Sequence, residues 1–243
     1  MQSTNNVIKK NAHMKYKHLF FDLDRTIWDF DRNALITFQE IYQKYNLKEL
    51  GVKYFEDFFS KYKFHNNELW ALYRKAEIKK EVLSVKRFEL TLKDFGIDDQ
   101  SLAEKIAYDY ITLSPLKTGL FPHVYEVLNY LSEKYKLHII TNGFEEVQYK
   151  KIEVSDLNKY FENIITSEEA GTKKPEKQIF EFSLSKASAK PDESLMIGDD
   201  IAVDIIGAKT IGIDQVFVNY DRIPHDEEIT YEINDLIELK AFL

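Results

Sequence analysis

Along most of this chain, short apolar runs alternate with stretches whose apolar residues recur at helical spacing. Five runs bounded by turn or capping residues read as buried strands: 16–22 (YKHLFFD), 137–141 (LHIIT), 163–167 (NIITS), 194–198 (SLMIG) and 215–219 (QVFVN). Helical patterns occupy 124–134, 145–157, 176–187 and 201–211. Strand and helix in alternation predict βαβ units, and so an α/β fold with a Rossmann-like parallel sheet covered by helices on both faces.

Residues 33–116 follow another rule. No strand stands out, and Phe38, Ile41, Tyr42 and Tyr45 share one helical face, as do Phe55, Phe58, Phe59 and Tyr62. Gly51 and Gly96 stand where helices should stop, and Asp98 or Asp99 can cap the next one. The spacing predicts helices at 33–46, 52–64, 66–81, 84–95 and 99–113. An all-helical domain, 33–116, is thus inserted into an α/β core made of 14–32 and 117–243. Charge separates the same two parts. The insert carries 13 basic and 13 acidic residues, and the remainder 20 basic and 28 acidic.

Composition narrows the function classes. With 44% hydrophobic and 30% charged residues in 243, the chain can bury a substantial core. The absence of cysteine excludes disulfide scaffolds, thiolate metal sites and cysteine nucleophiles. A net charge of −8 argues against nucleic-acid polymers and anionic membranes as partners. No apolar run approaches the ~18–20 residues of a membrane helix, and residues 1–13 lack the apolar stretch of a signal peptide. A soluble, cytoplasmic protein is expected.

The strand ends carry the chemistry. The first runs into Asp22-Leu23-Asp24-Arg25-Thr26, and side chains at i and i+2 of an extended chain point the same way, toward the edge where open α/β sheets bind ligands. The second ends in Thr141-Asn142-Gly143, whose hydroxyl and backbone N–H groups suit a phosphate oxygen. The fourth ends in Gly198-Asp199-Asp200, with Asp204 in the following helix. Helix capping accounts for one of these acids but not for three. Between them lies Gly171-Thr172-Lys173-Lys174-Pro175, a basic pair before a helix that the proline starts. Other signals are weaker. Asp94-Phe95-Gly96 lacks the remaining kinase motifs, the helical aromatics fit packing better than nucleobase stacking, and Arg74 and Arg87 fit an exposed basic face. The six histidines show no metal-ligand spacing.

These four motifs, in this order and at these strand ends, resemble the haloacid dehalogenase-like superfamily, over residues 14 to about 240. The insert matches that superfamily's helical cap. The stretch Phe21-Asp22-Leu23-Asp24-Arg25-Thr26-Ile27-Trp28-Asp29-Phe30 resembles the branch of pyrimidine-nucleotide 5′-nucleotidases. Two positions depart from the common pattern: Arg25 replaces a small residue, and Asp200 stands where many relatives have Ser.

The resemblance implies a phosphatase acting on a small phosphorylated metabolite, with a nucleoside 5′-monophosphate as a candidate. Asp22 is then the nucleophile and Asp24 the general acid and base. Thr141, Asn142 and Lys174 bind the phosphoryl group. Mg²⁺ is held by Asp22, the Asp24 carbonyl and Asp199, with Asp200 and Asp204 behind it. A cation is physically reasonable, since two carboxylates ~4 Å apart repel by about 4 kcal/mol at an effective dielectric of 20. A phosphomutase remains an alternative. A 2-haloacid dehalogenase is disfavoured by Asp24, because that reaction protonates no leaving group. A receiver domain is excluded by motif order and length. A non-catalytic phosphate-binding protein stays an alternative, disfavoured by the intact set of Asp22, Asp24, Thr141, Lys174 and Asp199.

Overall fold

The computed structural model describes residues 15–243; the polar segment at 1–13 lies outside the described residues. The chain forms two compact units, one of the chain up to Phe30 together with Gly119–Leu243, the other Asp31–Thr118. No helix among the described residues is long and apolar enough to cross a membrane.

The first unit is built on a parallel sheet. Strands β1 (His18–Phe21), β2 (Lys136–Thr141), β3 (Phe161–Thr166), β4 (Ser194–Gly198), β5 (Asp214–Val218) and β6 (Tyr231–Ile233) lie in the order β3-β2-β1-β4-β5-β6. Every neighbouring pair is parallel. Alternation along β1 explains why both faces are covered. Leu19 and Phe21 enter one cluster with Val127, Leu128 and Leu131 of α5 (Val124–Ser132) and Ile152 of α6 (Glu145–Val154). Phe20 enters the opposite cluster with Ile179, Phe180 and Leu184 of α8 (Lys177–Ala187), which follows the single-turn α7 (Ser167–Ala170). Each such buried side chain contributes about 1.5–3 kcal/mol.

Three departures from the expected elements have local causes. Strand β6 has three residues with Glu232 exposed at its centre, too short for a periodic signal. The expected helix at 201–211 opens as a π-helical turn, Ile201–Ile205, before α9 (Ile206–Lys209). Pro175 does not start α8; it lies in a turn closed by Glu176 N–H donating to the Lys173 carbonyl, and α8 begins two residues later.

A polar ladder crosses the sheet beneath the site. Asn163 Nδ2 donates to His138 Nδ1 at 3.0 Å, so His138 Nε2–H faces His18 Nδ1, also at 3.0 Å. Burial pushes His138 down to about 3, so this ladder is neutral at ordinary pH.

The second unit has four helices where the spacing suggested five: α1 (Phe30–Lys44), α2 (Phe55–Arg74), α3 (Lys80–Lys93) and α4 (Gln100–Leu113). The stretches 52–64 and 66–81 join into α2, with Asn66 buried near the expected break. Its carboxamide oxygen accepts hydrogen bonds from Tyr62 and Arg87. Asp99 caps α4 by accepting from Leu102 N–H. Arg87 is not on an exposed basic face. It is buried over the rings of Phe88 and Tyr110, 5.0 and 5.1 Å from their centroids. Arg74 is half-buried at the end of α2.

The aromatics mainly pack on each other. Phe38 is fully buried with Tyr62 and Tyr110 ring centroids 4.1 and 4.7 Å away, and Phe58, Phe59 and Phe88 within 6.0 Å. Phe38→Ala should therefore destabilise this unit by about 3–5 kcal/mol. Urea unfolding followed by circular dichroism measures the loss, and a change below ~1 kcal/mol would contradict the packing described.

Candidate active site

The sheet order reverses at β1, with β2 on one side and β4 on the other. At such a switch point the loops at the carboxyl ends of adjacent strands diverge and leave a crevice. The acidic pair after β1, the Thr-Asn-Gly turn after β2 and the Gly-Asp-Asp turn after β4 all emerge there.

Lys174 reaches in from the loop before α8 and is almost fully buried. Its ammonium lies 2.5 Å from Asp22 Oδ1, 2.6 Å from Asp204 Oδ1 and 2.8 Å from the Ile140 carbonyl. The contact to Asp204 is an ion pair, not a well-aligned hydrogen bond. Asn142 fixes the lysine's main chain from both sides: Oδ1 accepts from Lys174 N–H at 2.8 Å, and Nδ2 donates to the Lys174 carbonyl at 2.9 Å. Thr141, buried at the end of β2, accepts from Gly143 N–H. Lys173 next door is half-buried.

Asp199 lies across from Asp22 and accepts from Thr26 Oγ1 at 3.1 Å. Carboxylate oxygens of Asp22, Asp199 and Asp204 lie within 4.8 Å of one another. Asp204 comes this close because Gly198 has no side chain; a Cβ there would fall 2.4 Å from Asp204 Oδ2. Asp200 behaves differently. Its Oδ1 accepts from Ala202 and Val203 N–H and caps the π-helical turn, so it is the acid that capping explains.

The electrostatics follow from two buried acids, Asp22 and Asp204, the half-buried Asp199 and one buried lysine. Burial raises Asp22 to about 7, with Lys174 opposing the rise and Asp204 adding to it. Asp199 is held well above the carboxylate range by burial and by Asp22 and Asp204, against the pull of Thr26 and Arg25. Asp204 is raised by burial, with Lys174 opposing. Burial works against the charge on Lys174, but Asp204 and Asp22 outweigh it and keep the amine protonated. A compact set of hard oxygen donors, short of positive charge, fits a divalent cation such as Mg²⁺.

Asp24 does not join that cluster. Its Oδ1 is 2.6 Å from Lys151 Nζ and its Oδ2 accepts from Gln148 Nε2 at 2.9 Å, both from α6. Arg25 takes a left-handed backbone conformation and lies 5.0 Å over the Phe30 ring. The sequence reading picked out neither Gln148 nor Lys151, nor a separate role for Thr26. Thr26 sits inside the first motif, so its position was a signal. A buried Lys151 beside the half-exposed Lys150 leaves no mark in the residue order.

Fold and site together set an acidic cluster and a buried lysine at the carboxyl ends of the strands of a Rossmann-like parallel sheet. The chain belongs to the haloacid dehalogenase-like hydrolase family, whose sequence profile matches residues 19–218. It is 31% identical over 234 residues to the pyrimidine 5′-nucleotidase YjjG of Escherichia coli, covering 95% of this chain and 99% of that one. It is 30% identical over 226 residues to the pyrimidine 5′-nucleotidase PynA of Streptococcus pneumoniae, covering 90% and 92%. Its structure is similar to that of the magnesium-bound HAD-hydrolase YfnB from Bacillus subtilis, with a TM-score of 0.85 at 27% identity, covering 93% of this chain and 98% of that one.

The raised Asp22 has a measurable consequence in the metal-free protein. An unfolded aspartate ionises near 3.8, whereas the folded one holds its proton to about 7. Between those values the folded state binds the extra proton, so this group makes stability fall as pH rises, and the loss is complete above 7. Asp22→Asn, neutral throughout, should melt higher than wild type at pH 8 in EDTA, by at least about 2–4 °C, the shift that ~1 kcal/mol produces in a chain of this size. The gap should close near pH 4. Equal melting temperatures at pH 8 would count against the buried charge excess.

Proposed function

We propose that this protein is a Mg²⁺-dependent phosphatase that hydrolyses a small phosphomonoester through an aspartyl-phosphate on Asp22, with a nucleoside 5′-monophosphate as the first candidate substrate. The observation that carries the reading is the buried lysine on Asp22. A protonated amine at the nucleophile's own oxygen is placed to take the charge of an incoming phosphoryl group. The names of YjjG and PynA support the nucleotide as candidate.

In this reading an Asp22 oxygen attacks phosphorus and the bond to the ester oxygen breaks. Asp24 gives a proton to that leaving oxygen, then takes one from the water that attacks the aspartyl-phosphate. The Asp22–phosphorus bond breaks and inorganic phosphate leaves. Thr141 and Lys174 hold the phosphoryl oxygens, and Asn142 acts at least through the Lys174 main chain that it clamps. Asp22, Asp199 and the Asp24 carbonyl would hold Mg²⁺, which offsets the negative charge of carboxylates and phosphate. Asp204, and less directly Asp200, support that set from behind. The helical unit would serve as the cap and select the part of the substrate beyond the phosphate.

Phosphate release from a panel of nucleoside monophosphates, sugar phosphates and small organic phosphates tests the proposal. Release should require Mg²⁺, stop with EDTA and be abolished by Asp22→Asn. Phosphate release by Asp22→Asn protein, verified by mass to be free of reversion to Asp, would refute the nucleophile.

The lysine pair gives a second test. A charge-assisted contact is worth about 1.5–3 kcal/mol, so Lys174→Ala should lower kcat/KM by at least about tenfold. Lys173→Ala should stay within a few-fold of wild type. A larger loss from Lys173→Ala would mean the phosphate contact was placed on the wrong residue.

A further inference from the structure

Two side chains of α6 converge on Asp24 although no motif contains them. Gln148 and Lys151 are three residues apart and share a helix face; both are buried, at 1% and 3% exposure. Each takes a different oxygen of the same carboxylate, Lys151 the Oδ1 and Gln148 the Oδ2. Two contacts on two oxygens fix the carboxylate plane as well as its position.

The lysine is itself held. Its ammonium lies 4.1 Å from the centroid of the Trp28 ring, and Trp28 is fully buried and bridged to Asp24 through the backbone. Its acidic partner is Asp24, at 2.6 Å. The adjacent Lys150 pairs with Glu153 on the half-exposed side of the helix, the ordinary place for a helical lysine. Gln148 reaches Asp24 only because residue 143 is glycine, since a Cβ there would fall 1.6 Å from Gln148 Nε2. The Gly143 of the Thr-Asn-Gly turn therefore serves Asp24 as well as the phosphate loop.

We propose that Lys151 and Gln148 are positioning residues that aim the Asp24 carboxylate at the leaving-group oxygen. This rests on the reading of Asp24 as the general acid. Loss of either partner should leave substrate binding and the attack by Asp22 intact while misdirecting the proton. The effect must then depend on how much the leaving group needs that proton.

The experiment compares kcat and KM for the best alkyl phosphomonoester of the panel and for p-nitrophenyl phosphate, at saturating Mg²⁺, in Lys151→Met, Gln148→Leu, Asp24→Asn and the control Lys150→Met. The two positioning variants should lose about 10–100-fold in kcat on the alkyl ester, a share of the 10²–10⁴-fold that proton transfer supplies. Both should stay within about threefold on the nitrophenyl ester, with KM little changed, and Lys150→Met should match wild type on both. If Asp24→Asn shows the selective loss and the positioning variants lose both substrates alike, or neither, the inference is wrong and the role of Asp24 stands. If Asp24→Asn is itself unselective, the acid assignment fails and this inference falls with it. Should circular dichroism find Lys151→Met unfolded, Gln148→Leu decides alone.

Discussion

The site is organised around one buried cation. Lys174 contacts Asp22, Asp204 and the Ile140 carbonyl, a buried positive group against two of three clustered carboxylates. A buried ion set of this kind is weak evidence for stability, since removing charges from water costs several kcal/mol per ion. Its presence makes sense as chemistry instead. The amine holds Asp22 and Asp204 in place, and leaves the cluster still short of positive charge.

Much of the surrounding backbone is arranged so that this contact can form. Asn142 clamps the Lys174 main chain, which ties the turn after β2 to the loop before α8. Gly198 leaves room for Asp204 to fold back over the end of β4, and Asp200 caps the π-helical turn that delivers it. The parallel register sets β1 beside both β2 and β4, so three motif loops emerge next to one another. The family's four motifs are in this sense the ends of adjacent strands together with the clamp that orders the lysine between them.

The two carboxylates of the first motif have separate surroundings. Asp22 faces the lysine and the other acids, whereas Asp24, two residues on, is held by an amine and a carboxamide from α6. One position accumulates negative charge and the other is paired with a cation. A reaction that needs both a nucleophile and a proton carrier gains from keeping these environments apart.

The residue order by itself determined the parallel α/β core, the inserted helical block and the strand ends bearing Asp22, Thr141 and Asp199. Those features rest on local periodicity and on short apolar runs, which leave a trace in the chain. It did not separate α2 from two shorter helices; in the structure Asn66 inside α2 is buried and bonded to Arg87, 21 residues away, a partner that local spacing does not show. Nor did it distinguish Asp200 from Asp204, or Lys151 from Lys150. Within each pair the residue types are identical, and only the tertiary structure decided which turns toward a helix end or solvent and which toward the site. Burial and pairing are properties of the packed neighbours, and neighbours more than a hundred positions apart, as Asp24 and Lys151 are, share no local pattern from which the contact could be read.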